Sequence, residues 1–215
     1  MENPMCTTYN NGEDAMVCHG RKYHMEYLCW TFNGTNISPV ANTTFKHDEG
    51  AMTHWNDAPI VVGGYGFEVE TYDGQQWNRE DDFPANSNFT HDSWYIEYHS
   101  VVNFQGDVYV FGGYPKRVYE INVFKFNGAW KQIQNLARAR YGHRSIVHGD
   151  YIYHIGGHQH DRRTGQVVEY ASFEAWKYDS NNDNFTITFS NTTLYDFYTY
   201  PETFIVNAAD YAHCT

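Results

Sequence analysis

Histidine and arginine are the residues of this chain whose types and spacing could do chemistry. His158 and His160 stand in an H-x-H-D run with Asp161, and Arg162 and Arg163 follow directly. Such a run could ligate zinc or copper if another part of the chain supplied further donors, because imidazole and carboxylate are ordinary ligands for such ions. A lone His-rich loop is more commonly a solvated turn, so no metal is assigned. His54, His99 and His143 instead recur along the chain, which fits one structural hydrogen bond repeated in each of several units; a catalytic imidazole is needed once. Arg138, Arg140 and Arg144 form a local basic cluster. Its ordinary role is solvated loop charge and ion pairing; its sharper role is recognition of carboxylate or sulfate groups on a ligand. Neither a phosphate-cradling glycine loop nor a G-x-S-x-G nucleophile motif is present, and no catalytic residue and no cofactor are assigned.

The elements that must position these side chains announce themselves by repetition. A diglycine closes an apolar strand three times, in APIVVGG, DVYVFGG and YIYHIGG, at Gly63–Gly64, Gly112–Gly113 and Gly156–Gly157. The pairs lie 49 and 44 residues apart, and a degenerate copy, AMVCHG, ends at Gly20. A histidine precedes the first glycine by 13 residues at His99 and His143, and by nine at His54, which implies a shorter hairpin there. After each diglycine comes a loop and an alternating strand that ends in turn chemistry: VETYDG, VFKFNG and AWKYDS, with WTFNG in the degenerate copy. Trp77, Trp130 and Phe185 then open a fourth strand. Turn residues between alternating runs specify antiparallel hairpins, so each unit is a four-stranded meander.

These marks resemble the kelch repeat, and the resemblance spans residues 15 to about 207. It implies an all-β fold in which each unit is one blade of a β-propeller, with its first strand lining the channel and its fourth at the rim. The departures are Cys18-His19-Gly20 in place of a diglycine and Phe185 in place of a tryptophan. The whole chain, 1–215, reads as one such domain: a partial blade at 15–48, blades at 51–90, 98–136 and 143–190, and a lone first-type strand at 203–207. The first copy shows no first strand of its own. Either the C-terminal strand completes it and closes a four-bladed ring, with Cys6 and Cys214 near the junction, or the chain is an open arc; the arc is favoured because kelch propellers usually have more blades.

Composition agrees. Three leucines stand against fifteen valines and ten isoleucines, with an aromatic fraction of 18%, a mix that suits pleated strands. A net charge of −12 disfavours nucleic acid, and no run is apolar and long enough to insert in a membrane as a helix. Six N-x-S/T acceptors, at Asn33, Asn36, Asn42, Asn88, Asn184 and Asn191, exceed the two or so expected by chance from this composition. Together with four cysteines they point to an extracellular or cell-surface location, whose signal peptide would lie outside these residues; a cytoplasmic chain is the alternative. Cys18 and Cys29 fall on the second and third strands of the degenerate unit, near their hairpin loop, and are predicted to form a disulfide.

The expected function is therefore non-catalytic binding of a protein or glycan through loops at one end of the propeller. Loops after the second strand and loops between blades share that end. They would gather Tyr114, Lys116, Arg117, Arg138, Arg140, His158, His160, Arg162 and Arg163 into a cationic and aromatic face. The alternatives are a galactose-oxidase-like copper enzyme, which also carries kelch blades, and an intracellular kelch adaptor.

Overall fold

The alternating runs become strands throughout, and no helix occurs among the described residues. The computed structural model describes residues 5–9, 12–18, 27–84, 95–114, 122–136, 139–160, 167–169 and 173–191. Blade 1 is β1 (Met5–Tyr9), β2 (Asp14–Cys18), β3 (Cys29–Phe32) and β4 (Ile37–Pro39). Blade 2 is β5 (Ala51–Trp55), β6 (Ala58–Val62), β7 (Val69–Tyr72) and β8 (Trp77–Arg79). Blade 3 is β9 (Ser100–Phe104), β10 (Asp107–Phe111), β11 (Asn122–Phe126) and β12 (Trp130–Asn135). Blade 4 begins with β13 (Arg144–His148) and β14 (Tyr151–Ile155), extends a small hairpin of β15 (His158–His160) and β16 (Val167–Glu169), and ends with β17 (Phe173–Asp179) and β18 (Asn184–Asn191). Each blade is an antiparallel sheet in simple meander order, and the four stand as a four-bladed propeller arrangement. No helix among the described residues is long and apolar enough to cross a membrane.

Two expectations are corrected here. Blade 1 is complete: Met5–Tyr9 is its own first strand, paired from Met5↔Cys18 to Tyr9↔Asp14 around a turn in which Gly12 has φ 84°. That strand carries no histidine signal, so the repeat pattern passed over it. The segment 203–207 and Cys214 lie outside the described residues, and Cys6 is exposed on β1. The second correction is that His54 does not belong with His99 and His143. Register places Ala51, Ser100 and Arg144 opposite Val62, Phe111 and Ile155, so the residues equivalent to one another are Gly50, His99 and His143. The hairpin is not shorter; blades 2, 3 and 4 each turn through two residues between their first and second strands. Gly50 replaces the histidine because a Cβ there would come within 3.0 Å of three carbonyl oxygens. His47 supplies the ring instead, with Nδ1 2.6 Å from the Gly63 carbonyl and Nε2 2.9 Å from the Glu70 carboxylate. Burial pushes the Glu70 carboxyl up, but the bonds from His47 and from the Phe45 and Thr44 amides hold it below the usual range.

Three apolar clusters seal the three blade interfaces. Met16, Cys18, Cys29, Val61, Tyr72 and Trp77 join blades 1 and 2. Ile60, Val62, Val108, Val110, Phe124 and Phe126 join blades 2 and 3, and Tyr109, Phe111, Ile152, Trp176 and Phe185 join blades 3 and 4. The tryptophans that open the fourth strands add a polar tie. Trp77 Nε1 donates to the Ala41 carbonyl at 2.9 Å and Trp130 Nε1 to the Asp81 carbonyl at 2.8 Å, in each case the residue two past the preceding blade's last strand. Phe185 has no such donor, and Gln134 of β12 substitutes by bonding both the amide and the carbonyl of Phe185. The Cys18–Cys29 disulfide forms as predicted: the two residues face each other across β2 and β3 with Cα atoms 4.1 Å apart.

The histidines under the blades make stability pH-dependent. His99 is buried with Nε2 donating to the Val62 carbonyl of the preceding blade, and burial pushes its pKa down to about 3. Burial and the nearby Arg140 push His143 and His154 well below the ordinary range as well. The unfolded chain takes up protons on these rings below about pH 6.5, and the folded chain refuses them, so stability falls as pH falls. His99 alone should cost about 2 kcal/mol between pH 7.5 and pH 5. Thermal unfolding followed by circular dichroism should show a midpoint that drops steeply over that interval, and a midpoint flat from pH 7.5 to 5 would contradict neutral burial of these rings.

Candidate ligand-binding face

The face is built from what surrounds the diglycines. Gly112 and Gly113 have φ of 64° and 114°, a conformation that L side chains rarely adopt, and the pairs at Gly63–Gly64 and Gly156–Gly157 repeat it. A Cβ on Gly112 would lie 2.2 Å from the Arg140 carbonyl of the next blade's entry loop, and one on Gly113 would meet His99 at 3.0 Å. The absent side chains let that loop sit directly on the backbone. Gly64 N donates to the Ile96 carbonyl at 2.7 Å and Gly113 N to the Arg140 carbonyl at 3.1 Å, each bond running from one blade to the entry loop of the next. The same loops pair with their own blade, in two-way bonds between Glu97 and Tyr114 and between Tyr141 and His158.

The consequence is a row of rings across the diglycine end. Tyr65, Tyr114 and His158 are the residues that follow each diglycine, and Tyr95 and Tyr141 come from the entry loops. Tyr65 and Tyr95 stack with centroids 6.3 Å apart, Tyr95 and Tyr114 at 6.4 Å, Tyr114 and Tyr141 tilt together at 5.7 Å, and Tyr141 stacks on His158 at 5.1 Å. Tyr98 leans on Tyr141 from the side at 6.3 Å. The ladder is unbroken from blade 2 to blade 4. Tyr65 at its end is 68% exposed, and the other rings are half-buried. Burial, Glu97 and the neighbouring rings push the Tyr95 hydroxyl up, so it stays protonated and available as a donor.

Of the residues expected on this face, Tyr114 and His158 stand on it, and His160 ends the β15 arm beside it. Arg140 is directed inward. Its Nη2 sits 2.8 Å from Glu174 Oε1, with both side chains no more than 4% exposed, and Trp176 Nε1 donates to the other carboxylate oxygen at 2.9 Å. An arginine in that pair braces the interface of blades 3 and 4 and is not presented to a ligand, which corrects its expected place. Lys116, Arg117, Arg138, Arg162 and Arg163 lie outside the described residues. Sequence reasoning missed Tyr65, Tyr95 and Tyr141 as a set. The available signal was an aromatic ring immediately after every diglycine.

Other features do not compete for this role. Among the described residues, no group of three or more histidine, cysteine or acidic side chains could hold a metal ion. A shallow cleft lined by Thr8, Tyr9, Gly12, His54 and Asp57 lies at the opposite end, between the first hairpins of blades 1 and 2. No family model matches the chain, and no curated protein matches it. What the fold defines is a class, the β-propeller with four-stranded antiparallel blades, here four of them.

Two outcomes follow from the diglycine and arginine geometry. Gly112→Ala should destabilise by more than about 3 kcal/mol in denaturant unfolding, because strain and a backbone clash add, whereas Gly106→Ala, also at positive φ but in open space, should cost only about 1 kcal/mol. Equal costs would remove the close approach from the explanation. Glu174→Ala removes the carboxylate paired with the buried Arg140 and should cost roughly 3 kcal/mol; a loss well under about 1 kcal/mol would show that the pair does not brace the interface.

Proposed function

We propose that the chain is a kelch-type recognition module, non-catalytic and extracellular, that holds a protein or glycan ligand on its diglycine end. The observation that carries this reading is the ladder from Tyr65 to His158, five rings set on backbone that the blades hold rigid. Tyrosine offers a large apolar surface with a polar tip at small entropic cost, which suits it to contact both protein and sugar surfaces. The kelch reading is supported by the repeated left-handed diglycines and by the paired indole bonds of Trp77 and Trp130. The buried Cys18–Cys29 disulfide fits an oxidising compartment. Asn33, Asn36 and Asn42 are exposed, as glycan acceptors must be, and Asn33 caps its own turn by accepting from the Thr35 and Asn36 amides. Arg138, Arg162 and Arg163, expected from the sequence to lie in loops of that end, would add attraction for acidic groups to the aromatic contact.

The test uses arrays of neutral glycans, acidic glycans and extracellular protein domains probed with the secreted chain. The combined variant Tyr65→Ala, Tyr114→Ala should lose at least tenfold in affinity for whatever the wild type retains, and reversal of Arg138, Arg162 and Arg163 to glutamate should add a salt-dependent loss if the ligand is acidic. Undiminished binding by both variants, with folding verified by circular dichroism, would move the recognition surface to another part of the molecule.

A further inference from the structure

Every blade has a rear face, turned to the blade before it, and a forward face, turned to the blade after it. The inner strands touch in series, β1 with β5, β5 with β9 and β9 with β13, and no comparable contact joins β13 back to β1 among the described residues. The burial of equivalent positions shows what this leaves uncovered. On the rear face, the last residue of the third strand and the first of the fourth are Tyr72 and Trp77 in blade 2, only 5% and 6% exposed, and Phe126 in blade 3 is fully buried. In blade 1 the same two positions hold Phe32 and Ile37, paired in register and 42% and 72% exposed. On the forward face, Val102, Tyr109 and Phe111 of blade 3 are buried against blade 4. Their equivalents in blade 4 are Ile146, Tyr153 and Ile155, none of them buried as those are and all partly exposed. Tyr153 continues through Phe173, at 5.7 Å, to Phe189, at 6.0 Å and 52% exposed.

The four described blades thus leave one forward face and one rear face uncovered, and forward against rear is the pairing they already make three times. Both faces keep apolar residues at positions that are sealed elsewhere, although a face left to water gains nothing from phenylalanine or isoleucine there. We propose that the occupant is a second copy of the chain, docked head to tail: the forward face of blade 4 in each copy meets the rear face of blade 1 in the other. Two identical junctions then close a ring of eight blades, the upper end of the usual range for propellers, so a third copy is not accommodated. The new junctions repeat the chemistry of the interfaces inside the chain. Among the described strands, no contact within one copy joins these two faces.

Light scattering coupled to size exclusion, on the full chain secreted with its disulfide intact and then deglycosylated, tests this directly. The expected mass is twice the chain's 25.1 kDa. Ile37→Lys and Phe189→Lys, both at exposed positions, should each give monomer with an unchanged circular dichroism spectrum. Mixing the two variants restores one intact junction, Phe189 of the first against Ile37 of the second, so a heterodimer should reappear at reduced affinity. A wild-type monomer at about 100 μM, where even a weak interface would register, would overturn the proposal and leave the faces to the remainder of the chain. A dimer that survives Ile37→Lys would overturn it in favour of another interface, and wild-type species that grow beyond the dimer would overturn ring closure.

Discussion

The constraint on which the rest of this structure depends is the approach of each entry loop to the diglycine of the blade before it. At Gly112 the neighbouring carbonyl comes so near that any Cβ is excluded, and at Gly63 the side chain of Ile96 and the ring of His99 fill the same space. From that contact the inter-blade order follows. The amides of Gly64 and Gly113 bond across to the next entry loop, and a second line of bonds runs from Tyr98 N to the Glu49 carbonyl and from Gly142 N to the Tyr98 carbonyl. Glu49, Tyr98 and Gly142 are equivalent residues, and all three have φ near 60°. Two of them accept a strained conformation without being glycine, which shows that the tertiary bond, and not local preference, sets the backbone there.

Much of this architecture was legible because glycine pairs and tryptophans mark geometry that tolerates few substitutes. Diglycine at positive φ beside foreign backbone leaves one residue type, and an indole whose N–H must reach a carbonyl leaves few. The repeat was misread where the same geometry is reached by other means. Gly50 occupies the histidine position and His47, three residues upstream, provides the ring, so spacing counted from His54 described nothing real. Blade 1 hid its first strand for a similar reason. MCTTY carries no entry histidine, and its pairing with β2 is visible only once Cys18 and Met5 are seen opposite each other.

The candidate site was half legible, and the missing half has a physical cause. The sequence left the arginines open between solvated charge, ion pairing and ligand recognition, because burial decides what a charge does and spacing does not show it. Arg140 lies under the face, buried and paired with Glu174, itself tied to the Trp176 indole. The aromatic contribution was undervalued because tyrosines are abundant in this chain and each one alone says little. Their meaning depends on adjacency between blades: Tyr95 meets both Tyr65 and Tyr114 although it is thirty and nineteen residues from them in sequence.

The proposed recognition and assembly would draw on different surfaces of the same repeat. Loops at the diglycine end are free to vary because the backbone bonds that support them involve no side chains, so rings can be displayed there without cost to blade packing. Blade faces have no such freedom; each must match the next, and the apolar residues left on the terminal faces follow the same pattern as the buried ones. If the ends meet a second copy, the ladder on one chain continues around the axis toward the ladder on the other. A ligand large enough to span both would then be held by two faces at once, gaining through effective concentration what no single row of rings supplies.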